Sequence, residues 1–184
     1  IGQYAGRGKG AGIADNNTGD QNTYIGYETG SNTTTGYQNI TMGFRAGKNL
    51  DTGAKNIMVG PNAGLNSSAA SKNIFIGTAE NDSLGVGMNT TGNFNTFIGV
   101  DAGLNNTSGQ ENISIGSHAG KENTTGDNNI NIGDDAGQNI TSGDNNINIG
   151  KQAGDSVVTG NTNIIVGSEA GNNMGTSVND NIIM

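Results

Sequence analysis

The chain has one histidine, His118 in the phrase GSHAG, and no cysteine. A nucleophilic triad needs a base beside a Ser or Cys, and a typical zinc site needs several Cys or His ligands. One His with no Cys supplies neither within a single chain. His118 also falls at a variable position of a repeated phrase, so it reads as a solvated surface side chain. Asp134 and Asp135, with Asp127 and Asp144 in two GDNN turns, offer carboxylate oxygens of the kind calcium takes. The tandem calcium-solenoid phrase G-G-x-G-x-D is absent, so these read as solvated turns. The basic, glycine-rich stretch GRGKGAG (Gly6–Gly12) lacks the Gly-Lys-Ser/Thr ending and following helix of a phosphate loop, and reads as an insertion. A polysaccharide lyase would need clustered acids and bases in a groove, and the eight Lys and Arg are mostly isolated. The expectation is a protein that is not an enzyme, with no cofactor and no metal.

Composition narrows the class further. Of 184 residues, 33 are Gly and one is Pro; 31% are hydrophobic and 13% charged. That is a thin supply for a packed core, but the apolar residues recur in Ile-rich pairs at fixed intervals, which is a pattern of burial rather than of disorder. The net charge of −8 argues against nucleic acid or an anionic membrane as partner. No apolar run approaches the roughly 20 residues of a membrane helix.

The elements that position these residues are copies of one phrase, Asn-x-x-(Ile/Val/Met)-Gly. Its closing glycines are Gly26, Gly43, Gly60, Gly77, Gly99, Gly116, Gly133, Gly150 and Gly167, with seven of eight intervals equal to 17 and one of 22. The rest of the unit runs Gly-x-x-Ala-Gly-x-Asn-x-Thr-x-Gly-x-x. Residues 1–184 therefore read as a single repeat array with insertions near 6–15 and 78–92. The chain opens and closes inside copies, Ile1-Gly2 and Asn181–Met184, so a segment of a longer fibre is expected.

Frequent glycines and few helix formers exclude a helical repeat. The alternation in N-I-x-I-G predicts a short strand, and stacking of strands from successive coils predicts an all-β, parallel β-solenoid (a β-roll or β-helix) of ~17-residue coils. Asn repeated in register predicts a side-chain amide ladder. The larger aliphatics of each run are expected as the core ladder: Ile25, Met42, Val59, Ile76, Ile98, Ile115, Ile132, Ile149 and Val166. The intervening residue is expected to point outward. Tyr24, Met58, Phe75 and Phe97 then form a candidate lateral contact, or pack on a second layer of the chain or on a neighbour. Two aliphatics on one side and only Ala and Thr elsewhere are little for a private core, so a parallel homotrimer with its Ile faces on a common axis is expected.

The phrase N-T-x-I-G-x-x-A-G-x-N-x-T-S-G, read at Asn95–Gly109, resembles repeats of phage tail-fibre-like proteins and, more distantly, the head repeats of trimeric autotransporter adhesins. The adhesin heads use a shorter unit, so their geometry does not transfer. The resemblance implies a trimeric fibre, extracellular, on a cell surface or on a virion, that gives reach and attachment. Its implied partners are itself and a cell-surface or glycan receptor met through other regions, with no nucleic acid and no membrane-spanning segment. The alternative is a surface-binding β-solenoid whose Thr ladder (Thr34, Thr52, Thr107, Thr124, Thr141) matches ice or a polysaccharide.

Overall fold

Every Asn-x-x-Ile-Gly phrase places a strand of two or three residues in one sheet. The computed structural model describes residues 1–6, 18–82, 84–172 and 174–184. Its strands are β1 (Thr23–Ile25), β2 (Ile40–Met42), β3 (Ile57–Val59), β4 (Ile74–Ile76), β5 (Thr96–Ile98), β6 (Ile113–Ile115), β7 (Ile130–Ile132), β8 (Ile147–Ile149), β9 (Ile164–Val166) and β10 (Ile182–Ile183). They lie side by side in chain order, all parallel. Register advances by one repeat per strand, so Ile130 faces Ile147 and Ile132 faces Ile149. The result is an all-β solenoid of ~17-residue coils, without a helix among the described residues. At about 4.8 Å per step, the ten strands span roughly 43 Å.

The strands are shorter than the five-residue run because both flanks bend. The residue before each Asn is left-handed, as at Lys55 (φ 61°), Glu111 (58°) and Asn128 (60°), and the closing glycine departs at positive φ. Gly133 shows why that residue is Gly: its φ is 134°, and a Cβ would lie 2.5 Å from the Gly150 carbonyl oxygen of the next coil.

The 22-residue interval leaves the sheet intact, with Phe75 paired to Phe97. The Gly47 amide donates to the Ala63 carbonyl, and the Gly64 amide donates to Val86, which therefore takes the Ala position of its coil. The added residues thus precede Val86, inside 78–85, a narrower span than 78–92. The insertion near 6–15 falls almost wholly outside the described residues.

The sheet's two faces are opposite to the expectation. The centre of each strand points into the coil: Met58, Phe75 and Ile165 are fully buried, as are Thr41 and Asn131, and Phe97, Ser114 and Asn148 are 1% exposed. The expected core ladder, Ile25, Met42, Val59, Ile76, Ile98, Ile115, Ile132, Ile149 and Val166, lies on the outer face, half-exposed. The physical reason is width. The opposite wall carries the buried Ala46, Ala63, Ala102, Ala119, Ala136 and Ala153, each followed by a left-handed glycine that presses on the strand centre. A Cβ on Gly103 would sit 2.5 Å from the Phe97 ring. That gap admits one strand side chain per coil, and a three-residue strand has one central side chain and two flanking ones on the other face.

Asn ladders close the coils. The Asn129 amide nitrogen Nδ2 donates to Asn112 Oδ1 (3.2 Å) and to the Gly143 carbonyl (2.7 Å). Its Oδ1 accepts from the Asn146 backbone N–H and Nδ2, both at 3.0 Å. The pattern recurs from Asn22 to Asn181 and crosses the insertion through the Asn95 amide on Asn73 Oδ1 (2.7 Å). These side chains satisfy backbone groups that a coil without regular strands would leave buried and unpaired.

Candidate functional site

Two features of the surface stand apart from the repeat's own upkeep. The first is the outer face of the sheet. Its two columns start at Thr23 and Ile25 and run in register to Ile164 and Val166. Sixteen of these eighteen positions in β1–β9 are Ile, Val or Met, and Thr23 and Thr96 are the others, so the strip is continuous and apolar. Ile25, Ile40, Met42, Ile76, Ile149, Ile164 and Val166 are each between 36% and 42% exposed. A strip of this length is the sort of surface that marks an interface.

The candidate lateral contact is not on the surface. Met58, Phe75 and Phe97 form the centre of the interior with Leu50, Ala63, Val86 and Ala102. The Phe75 and Phe97 rings stack 5.2 Å apart at 8°, and Tyr24 stands in the same column against Gly30. They fill the chain's own core.

The second feature surrounds His118. The position two residues after the closing glycine is left-handed in every coil but that of Gly77, including Asp101 (φ 53°), His118 (55°) and Asp135 (56°), so their side chains project in one column. His118 Nδ1 is 3.0 Å from Asp135 Oδ1, and Nε2 is 3.1 Å from Glu80 Oε1 and 3.8 Å from Asp101 Oδ2. Glu80 comes from the insertion after β4. Lys121 Nζ lies 3.2 Å from Asp101 Oδ2. His118 is therefore not a solvated side chain; about four-fifths of it is covered. Glu80, Asp101 and His118 place one ligand atom each within 4.8 Å of one another, the one such group among the described residues.

The sequence signal for half of this cluster is the period itself. Residues 17 apart are neighbours across one coil step, which puts Asp101, His118 and Asp135 in line. The same rule places Arg45 on Glu28 at 2.8 Å, where Lys48 also pairs at 2.8 Å. The Lys48 and Arg45 hydrogen bonds hold the Glu28 carboxyl below the usual carboxylate range, against a desolvation that raises it. Glu80 was hidden because the insertion breaks the count.

The other candidates are structural. Asp127 Oδ1 accepts the Gln110 amide (2.7 Å) and Asp144 Oδ1 accepts the Asp127 amide (2.8 Å), while Asp134 reaches Lys151 at 3.9 Å. The four aspartates do not converge on one point. In the Thr ladder, Thr107 donates its hydroxyl to the Thr124 carbonyl (2.8 Å), Thr124 to Thr141 (2.9 Å) and Thr141 to Val158 (3.3 Å). Each proton is thus engaged in holding the next coil. Of GRGKGAG, all but Gly6 lies outside the described residues.

An exposed aromatic column was not anticipated: Tyr27 stacks on Phe44 at 5.6 Å, and Tyr4 meets Tyr27 edge-on at 5.9 Å. No helix among the described residues is long and apolar enough to cross a membrane. Comparisons with protein-family models, curated proteins and solved structures find no match to this chain.

Proposed function

We propose that the chain is the shaft of a parallel trimeric fibre, extracellular or carried on a cell surface or virion, that holds an attachment region at a distance. The observation that carries this reading is the outer Ile strip. A coil whose interior admits one strand side chain has no room for its two best aliphatics, yet it keeps them in nearly every repeat. Three such strips turned to a common axis bury one another and make a second core, shared between chains. The register supports the same arrangement, because an in-register parallel sheet presents equivalent rungs from coil to coil to an equivalent partner. The likeness of Asn95–Gly109 to tail-fibre-like repeats points the same way. The Thr ladder gives no support to an ice-binding reading, since the hydroxyl protons of Thr34, Thr107, Thr124 and Thr141 are engaged within the stack. Sedimentation equilibrium and electron microscopy test the proposal: a trimeric rod with parallel chains is the expected result. A monomer or a dimer across the micromolar range would overturn it.

A further inference from the structure

The cluster at His118 has a use that the repeat does not explain. We propose that Glu80, Asp101 and His118 form a mononuclear site for a divalent transition ion of the zinc class, which fastens the insertion to the coil stack.

Four observations carry it. The first is the donor set: one imidazole nitrogen and two carboxylates suit zinc and its neighbours better than calcium or magnesium, which prefer oxygen alone. The second is the partner of the other ring nitrogen. Asp135 Oδ1 stands 3.0 Å from Nδ1, placed to accept Nδ1–H and so to leave the Nε2 lone pair for an ion between Glu80 and Asp101. A carboxylate on the far nitrogen is the usual support of a metal-bound histidine. The third is spacing. Ligands about 2.0–2.1 Å from a tetrahedral ion stand about 3.3 Å apart. The Nε2–Glu80 contact of 3.1 Å already matches, and Asp101, whose Oδ2 stands 3.8 Å from Nε2, must turn its other oxygen inward and close on Glu80. Glu80 is free to do so, with its side chain 65% exposed.

The fourth is an unmet acceptor. Asp101 is 2% exposed, and its Oδ1 has no hydrogen-bond partner among the described residues. A buried carboxylate oxygen left so is costly. Lys121 engages the other oxygen, Oδ2, at 3.2 Å. An ion held through Oδ1, His118 Nε2 and Glu80 would satisfy the carboxylate with Lys121 still in place, and leave a fourth position for water. Glu80 belongs to the insertion that lengthens the coil after β4, so the departure from the repeat itself delivers the third ligand.

The test uses untagged protein stripped with chelator and titrated with zinc chloride by calorimetry, with calcium and magnesium chlorides as comparisons. Because His118 is the only histidine, its ring resonances report the site alone. The expected result is one zinc per chain, a shift of the Nε2 resonance, and no comparable response to calcium or magnesium. Glu80→Gln and Asp101→Asn should each weaken zinc binding at least about tenfold, and Asp135→Asn by about 10–100-fold. Glu28→Gln, on a distant coil, should not change it. If Asp101→Asn does not fold, Glu80→Gln decides, since that side chain is exposed. Absence of saturable zinc binding, or binding that survives Glu80→Gln, would overturn the proposal and leave an ion-paired histidine.

Discussion

Replacing Ile130 and Ile132 together by Glu separates the shared-core reading from a solitary solenoid. Both side chains lie on the outer face of β7 and contribute little to the chain's own interior. Burying a whole Ile side chain is worth about 1.5–3 kcal/mol, so the two-fifths exposed on the most open outer aliphatics represent about 0.6–1.2 kcal/mol each. Over the sixteen aliphatic positions this sums to at most about 10–20 kcal/mol per chain, comparable with the ~4–15 kcal/mol cost of association. In a trimer the double variant removes a few kcal/mol of that burial and gathers six carboxylates around the axis. Each such charge costs several kcal/mol, so the assembly loses on the order of 10 kcal/mol or more. A single chain should change by only about 1 kcal/mol, because substitutions away from the core do little. Sedimentation velocity, with circular dichroism as a fold control, makes the measurement. The expected result is a trimer of 18.6 kDa chains for the parent and a folded monomer for the variant. A variant that still sediments as a trimer would refute the interface, and one that unfolds as a monomer would refute the outward placement of the Ile pair.

Three further outcomes follow from the coil itself. Asn129→Ala removes the amide that serves Asn112, Gly143 and Asn146, and should lower stability by about 2–5 kcal/mol in urea unfolding; a loss below 1 kcal/mol would mean that the ladder is not what closes the coils. Gly133→Ala forces a Cβ to within 2.5 Å of a carbonyl oxygen at φ 134°, and should lower the melting temperature more than Ala substitution at exposed Asn128; equal effects would refute the close approach. Desolvation, then the nearby Asp135 charge, raises the Asp155 carboxyl above its ordinary range. Between its unfolded value near 3.8 and its higher folded value, the native state binds more protons than the unfolded chain, so this group's contribution falls as pH rises through that window and stays low above it. Asp155→Asn should therefore raise the melting temperature at pH 7 and have little effect at pH 3, and a gain at pH 3 alone would contradict the assignment.

Much of the architecture was legible without coordinates. A 17-residue period with Asn, Ala and Gly in constant places implies a stack, because no single coil can satisfy its backbone or hide its aliphatics. The period also contains Asp101, His118 and Asp135 as one column, for any pair 17 apart meets across a coil step. Alternation in the strand shows that its two faces differ, but not which of them is inside. Ordinarily the larger apolar residues settle that. Here the wall of Ala and Gly opposite the sheet settles it, since the space it leaves is one side chain deep. Only the folded coil therefore decides that Phe75, Phe97 and Asn131 are interior while Ile130 and Ile132 look outward. Only the folded coil, too, brings Glu80 to His118, because the insertion breaks the period and the number of residues between them no longer measures their distance.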